Sequence, residues 1–334
     1  MDKECTFIGA LEAALAVDGT PYDYNTLMGW SALAFRVRWY RGESGARWCP
    51  SSAVGEFADE LSALRRATGY TLTAELRTDH PEPHMEQFVS RILEELSAGR
   101  PVLAYEPTKL DVGVIFGVEG DGRTVLMHDY TSGERVLRLP TGRLGPFICF
   151  LGPRGEALSA REALIEGIRL GVDQWHCGSM RALRGRYWHG RSALLTWRDD
   201  ILHAGTRAPE ERKLLFFVNW WVFDSLVDAR CAAEKFLNRS EGLLYGSARR
   251  HHIAAAEVYE EEVALLRRTK AEQHLFLGPW TGQGIEHWTD RIREGEAAFI
   301  ARFLELEARA IGELENLLMA SDIPVRRAEQ VSVH

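Results

Sequence analysis

DVGVIFGVEGDGRTVLMHD, residues 111–129, holds two short apolar runs around a glycine-rich link, and the class of fold follows from it. Apolar and β-branched residues dominate Val112–Val118 and Val125–Met127, and Glu119-Gly120-Asp121-Gly122 between them has the composition of a tight hairpin turn. Short apolar runs of the same kind flank it at 101–106 (PVLAYE), 134–139 (ERVLRL) and 146–151 (PFICFL). With 111–118 and 123–129 as the central strands and only short links throughout, these segments predict one antiparallel meander.

Outward from the sheet the period changes to that of a helix. Upstream, residues 6–17 (TFIGALEAALAV) put Ile8, Leu11 and Leu15 on one stripe, and Asp18-Gly19-Thr20-Pro21 stops the helix. Further helices are expected at 24–36, 53–68 and 84–98, the last closed by Gly99. Downstream of about residue 155 no strand pattern recurs. Helices are expected there at 159–171, 191–204, 209–239, 246–270 and 285–319, followed by a loose tail (IPVRRAEQVSVH). Gly152-Pro153-Arg154-Gly155 is the natural boundary. The expected organisation is an α+β domain over 1–155, helices plus an antiparallel sheet, and an all-helical domain over 156–334.

Composition narrows the function classes. The 334 residues suffice for two cores, and 46% hydrophobic with 26% charged residues is ordinary for a globular chain. A net charge of −8 without a dense basic stripe argues against nucleic acid as a partner. Leu214–Val222 (LLFFVNWWV), the longest apolar run, is too short to span a bilayer, so no membrane partner is expected. The five cysteines are odd in number and scattered, and Met1–Cys5 opens with charge where a signal peptide would be apolar. Reduced thiols and a cytoplasmic location follow as expectations.

Cys5 falls at the start of the first expected helix. The unpaired amides and positive dipole end there favour a thiolate, and the same N–H groups can serve an oxyanion. A base from the sheet would have to reach the sulfur, and a third group would have to orient that base. Cys5 also has a plainer reading as a small buried hydrophobe.

A helix opened by Cys5, a strand ending at Gly117 and a next strand ending in Asp129 resemble the papain-like cysteine enzymes. The resemblance is to the peptidase domain that trims bacteriocin leaders and to the N-terminal domain of butirosin-biosynthesis H-type acyltransferases. YNTLMGWSALAF (Tyr24–Phe35) resembles the loop after the nucleophile helix of the second family, and YWHGRSALLTW with AAAEVYEEEVALL resembles its helical companion domain. This resemblance implies a papain-like fold, Cys5 as nucleophile and Asp129 as the orienting acid. It also implies a histidine at position 111, where this chain has Asp111, and a proline at 130, where it has Tyr130. No glutamine precedes Cys5 to complete an oxyanion hole. An Asp111 carboxylate would repel a thiolate instead of promoting it. His128 is the nearest substitute base. Strand alternation turns it away from whichever face Asp129 takes, unless a bulge intervenes.

Two readings follow. One is a cysteine hydrolase or acyltransferase acting on a small amide, thioester or peptide. The other is an inactive relative that binds a small molecule or partner in the ancestral cleft. No cofactor is expected, and oligomeric state is not readable.

Other candidates have plain alternatives. Trp175-His176-Cys177-Gly178 and Tyr187-Trp188-His189-Gly190 read as ligand-stacking loops or as aromatic staples between helices, and Trp280 and Trp288 share that ambiguity. His80 and His84 are separated by prolines, and His251-His252 lacks a partner pair at zinc spacing, so no metal is expected. Glu257–Glu262 reads as a solvated helix face.

Overall fold

The computed structural model describes residues 3–17, 19, 22–40, 57–76, 83–106, 111–120, 122–129, 135–145, 147–177, 187–278 and 281–321. Its N-terminal half is a six-stranded antiparallel sheet with helices on both faces, and its C-terminal half is mainly helical.

The quoted stretch forms β4 (Asp111–Glu119) and β5 (Thr124–His128) of the numbering β1–β8 used for the whole chain. Gly120 and Gly122 have φ of 58° and 83° in the connecting turn, a region side chains disfavour. Gly113 is needed for close approach, since a Cβ there would lie 2.4 Å from the carbonyl oxygen of His128. The pairing runs Val114↔His128 and Ile115↔Met127, then shifts to Gly117↔Leu126, so Phe116 is the extra residue of a β-bulge.

Around this hairpin stand β3 (Val102–Glu106), β6 (Leu137–Pro140), β7 (Phe147–Arg154) and β2 (Tyr70–Leu76). The order is β2-β7-β3-β4-β5-β6. The expected meander therefore holds only from β3 to β6. β7 returns across the sheet to pair with β3, and β2, for which no strand is expected from the sequence, closes the edge beyond it. Helix α1 (Thr6–Val17) covers one face, where Phe7 meets Phe147 edge-on at 5.7 Å. The opposite face buries Ile115, Val125 and Met127 under Ile92 of α4 (Pro83–Ser97). Between them in the chain lie α2 (Tyr24–Trp30) and α3 (Phe57–Thr68). α2 stops short of the expected residue 36 because Ala32 turns left-handed, with φ of 61°.

Past the sheet come α5 (Ala160–His176), α6 (Gly190–His203), α7 (Pro209–Ser240), α8 (Gly246–Glu272) and α9 (Asp290–Ala320). A Ser159/Glu162 capping box starts α5. The expectation of helices alone in this half needs correction. Tyr187–His189 forms β8, which pairs with β1 (Arg38–Tyr40) through Trp39↔Trp188. Three-residue strands whose partner lies far along the chain have no readable period. The ribbon ties the halves together, and one core cluster runs through both, from Phe7 and Leu11 to Leu314. Close helix contact reinforces it, since a Cβ on Gly29 of α2 would lie 2.3 Å from the Phe236 ring of α7. Among the described residues no helix is long and apolar enough to cross a membrane.

Candidate functional site at the start of α1

The Cys5 carbonyl accepts the Gly9 N–H at 3.1 Å, which makes Cys5 the residue that opens α1. Cys5 itself is 1% exposed. Its N–H donates to Tyr24 Oη at 3.0 Å, and Tyr24 Oη donates to Asp228 Oδ2 of α7 at 2.5 Å. Asp228 also accepts the backbone N–H groups of Glu4 and Cys5. A carboxylate from the helical half therefore caps the helix start, satisfying amides that α1 cannot pair internally.

Burial pushes the Asp228 carboxyl up, against the lowering hydrogen bonds from Tyr24 and the two amides. Burial and the Asp228 charge push the Tyr24 phenol well above its usual value. Glu4 is raised to about 7, first by burial, then by Asp224 and Asp228, with Lys270 opposing and Asp111 adding. Lys270 Nζ lies 2.5 Å from Asp224 Oδ1, so one ammonium of the chain already sits among these acids.

Asp111 reaches the same place through the sheet. The Val112 N–H donates to Thr6 Oγ1 at 3.0 Å, fixing the first residues of β4 against the first turn of α1. The structure therefore gathers Cys5 and Asp111 at one helix start, together with Glu4, Tyr24, Asp224, Asp228 and Lys270. His128 is placed differently. Its ring stacks on that of Phe116, centroids 4.9 Å apart at 20°, and Phe116 is 44% exposed. The bulge falls on β4 and gives His128 an aromatic cover. Asp129 is buried directly after β5.

A cavity of about 20 Å³, room for about one water, adjoins Cys5. Asp228 and Ser225 line one side, Arg36 and Arg38 another, and the described residues lining it include neither a histidine nor Asp111 or Asp129. Arg36 pairs with Glu60 at 2.5 Å, both buried, and Arg38 lies 4.7 Å from the Tyr187 ring centroid. His189 is pushed down to about 2 by burial, then by Arg38 and Arg36, so it is a neutral ring near pH 7. The Tyr187–Gly190 motif thus supplies a strand and a buried imidazole.

The other aromatic candidates also pack. Trp288 is fully buried and donates Nε1–H to Glu296 at 2.8 Å, and Trp175 is buried in α5. His251 and His176 face Glu313 and Glu315 at 2.7 and 2.6 Å. The expected solvated run Glu257–Glu262 divides: Glu261 pairs with Arg309 at the surface, whereas Glu262 is fully buried. His80, Tyr130 and Trp280 lie outside the described residues, and His84 lies on α4 but its side chain is outside them. Among the described residues, no group of three His, Cys, Asp or Glu side chains is arranged to hold a metal ion.

Tyr24, Asp224, Asp228 and Lys270 are absent from the sequence-derived site. Only Asp224-x-x-x-Asp228, two acids one turn apart just after the apolar run Leu214–Val222, hints at them. Neither the family models nor the curated proteins compared with the sequence match it.

Proposed function

We propose that the chain is a papain-like relative in which the helix start at Cys5 has passed from covalent catalysis to recognition, and that its acidic rim binds a small cationic ligand. The carrying observation is the cap: Asp228 and Tyr24 hold the amides of Glu4 and Cys5 that an oxyanion would need. The thiol is buried, and the ring at His128 is stacked on Phe116. The acids support a cation because Lys270 is already held there by Asp224, and an ammonium of the ligand would join or displace it.

Two measurements on the full chain test this reading. Calorimetric titration with spermidine and n-butylamine should give saturable binding that strengthens from pH 5.5 to 8, since deprotonation of Glu4, raised to about 7, adds a negative charge. Hydrolysis of p-nitrophenyl acetate or a simple thioester should show no iodoacetamide-sensitive component. Iodoacetamide-sensitive turnover would restore the cysteine hydrolase or acyltransferase reading. Absence of any saturable amine binding would remove the recognition reading.

A further inference from the structure

The other end of α1 faces a second cavity. About 220 Å³ of space opens between Ala14, the α4–β3 turn at Ala98–Pro101, Tyr70 of β2 and the end of β7. That is room for a small organic molecule, about eleven times the space beside Cys5.

Its lining is divided by chemistry. Ala14, Leu151 and Pro101 give an apolar floor, whereas Arg100 and Arg154 bring two guanidinium groups to the walls. Among the described residues of this lining, the acids gathered at the start of α1 have no counterpart.

Both arginines are held in place before any ligand arrives. The Arg154 guanidinium lies 5.6 Å from the Tyr70 ring centroid, and its Nη2 donates to Tyr22 Oη at 3.3 Å. Arg100 is gripped through Nε by Glu95 at 2.5 Å. The carbonyls ending α4 are already engaged: the Ala98, Gly99 and Arg100 N–H groups donate to Glu94, Leu96 and Glu95. This closing turn turns the Arg100 backbone away from the helix axis. Preorganised guanidinium forks beside an apolar floor and an aromatic face suit an oxyanion carried on a flat apolar body.

We infer that this cavity is a binding site for a small organic oxyanion, carboxylate or phosphate, gripped by Arg100 and Arg154 with its apolar part on Leu151 and Tyr70. Benzoate, phenyl phosphate and inorganic phosphate serve as probes in calorimetric titrations of the full chain. Benzoate or phenyl phosphate should bind saturably and more tightly than inorganic phosphate, and the tighter of the two identifies the anionic group. Arg100→Ala and Arg154→Ala should each weaken that binding about tenfold, the scale of one charge-assisted hydrogen bond. Arg154→Lys should recover part of the loss, and Arg123→Ala, on the exposed β4–β5 turn, should leave affinity unchanged. Both cavity arginines are partly exposed, so the variants are expected to keep the parent circular dichroism and melting temperature. No saturable binding of any probe would overturn the assignment. So would binding that survives intact in the folded Arg100→Ala/Arg154→Ala double variant.

Discussion

Two groups of ionisable residues join the N-terminal half to the helices that follow it, and they differ in one respect: how much water reaches them. At the start of α1, Glu4 and Lys270 are part-exposed while Tyr24 and Asp228 are buried. Deeper in, Arg230 of α7 is fully buried with Glu262 of α8 and Glu307 of α9. Arg230 Nη2 lies 2.7 Å from Glu307, Nε lies 3.2 Å from Glu262, and Nη1 donates to the Ala34 carbonyl at 2.8 Å. One guanidinium thus binds three helices to the turn that follows α2. Burial and the neighbouring Glu307 charge push Glu262 well above the usual carboxylate range, with the Arg230 guanidinium opposing them. A dry knot pairs its charged groups with one another inside the core. A wet rim keeps charges that a ligand can meet.

The largest effect expected from breaking this contrast is at Arg230. Arg230→Met leaves two carboxyl groups buried without their cation and frees the carbonyls of Ala34 and Phe35. Losing one member of such a buried assembly typically costs about 3–5 kcal/mol. Urea unfolding at pH 8 should show a loss of this size, and a smaller one at pH 5, where both glutamates can be neutral. Equal losses at the two values would mean that packing, not charge, sets the cost.

Acidity is the second lever. Glu296 is raised to about 7 by burial, partly offset by hydrogen bonds from Trp288 and the Phe276 amide, and Glu262 and Glu307 are raised as well. A raised carboxyl means that the folded state binds more protons than the unfolded state. Stability from Glu296 is fully present below about 4.5 and is lost as pH rises through about 7, and Glu262 and Glu307 act in the same direction. For Glu296 the difference is on the order of 3 kcal/mol between those limits. Glu296→Gln, which keeps an acceptor for Trp288, should flatten the fall in unfolding free energy across this window. A variant with the parent slope would exclude Glu296 as its source.

Asp228→Asn tests the cap with a smaller expected effect. The amide side chain still accepts hydrogen bonds but carries no charge, so the loss should be about 1 kcal/mol, as for other helix caps. Removing a carboxylate beside Cys5 should also speed alkylation by iodoacetamide at pH 7. Unchanged labelling would mean that burial alone shields the thiol.

How much was legible in the sequence follows the range of each interaction. The β4–β5 hairpin, α7 and α8 were readable because their signals are local: turn glycines, alternation, and a helical period sustained over many turns. β2 carried a usable alternation, Tyr70, Leu72 and Ala74 facing one way, hidden between two helical segments. The β1–β8 ribbon was not readable, because its strands are too short for a period. The site divides in the same way. The position of Cys5 at a helix start is local, and Asp111 follows from the hairpin. Asp228 lies 204 residues from Tyr24, and no local pattern encodes that meeting. The buried Glu262 within an acidic run shows the converse: composition suggested solvent, but an arginine on another helix decided burial.

The smallest effect is expected at Asp111. If a missing imidazole were the only thing separating this chain from a cysteine enzyme, Asp111→His should generate thiol chemistry. The geometry argues otherwise. Position 111 does sit at the helix start, since Val112 is bonded to Thr6. The obstacle is at the amides, which Tyr24 and Asp228 already occupy, and residues of α7 line the space beside Cys5. A histidine at 111 would also stand near Glu4, an acid that would favour its protonated form and weaken it as a base. Asp111→His should therefore leave p-nitrophenyl acetate hydrolysis at the parent background and change iodoacetamide labelling less than Asp228→Asn does. In the Asp111→His/Asp228→Asn pair the amides meet a neutral acceptor and a base stands nearby, so labelling should exceed the sum of the single effects. Ester turnover from Asp111→His alone would show that the cap is no barrier, and the recognition reading of the Cys5 site would fall with it.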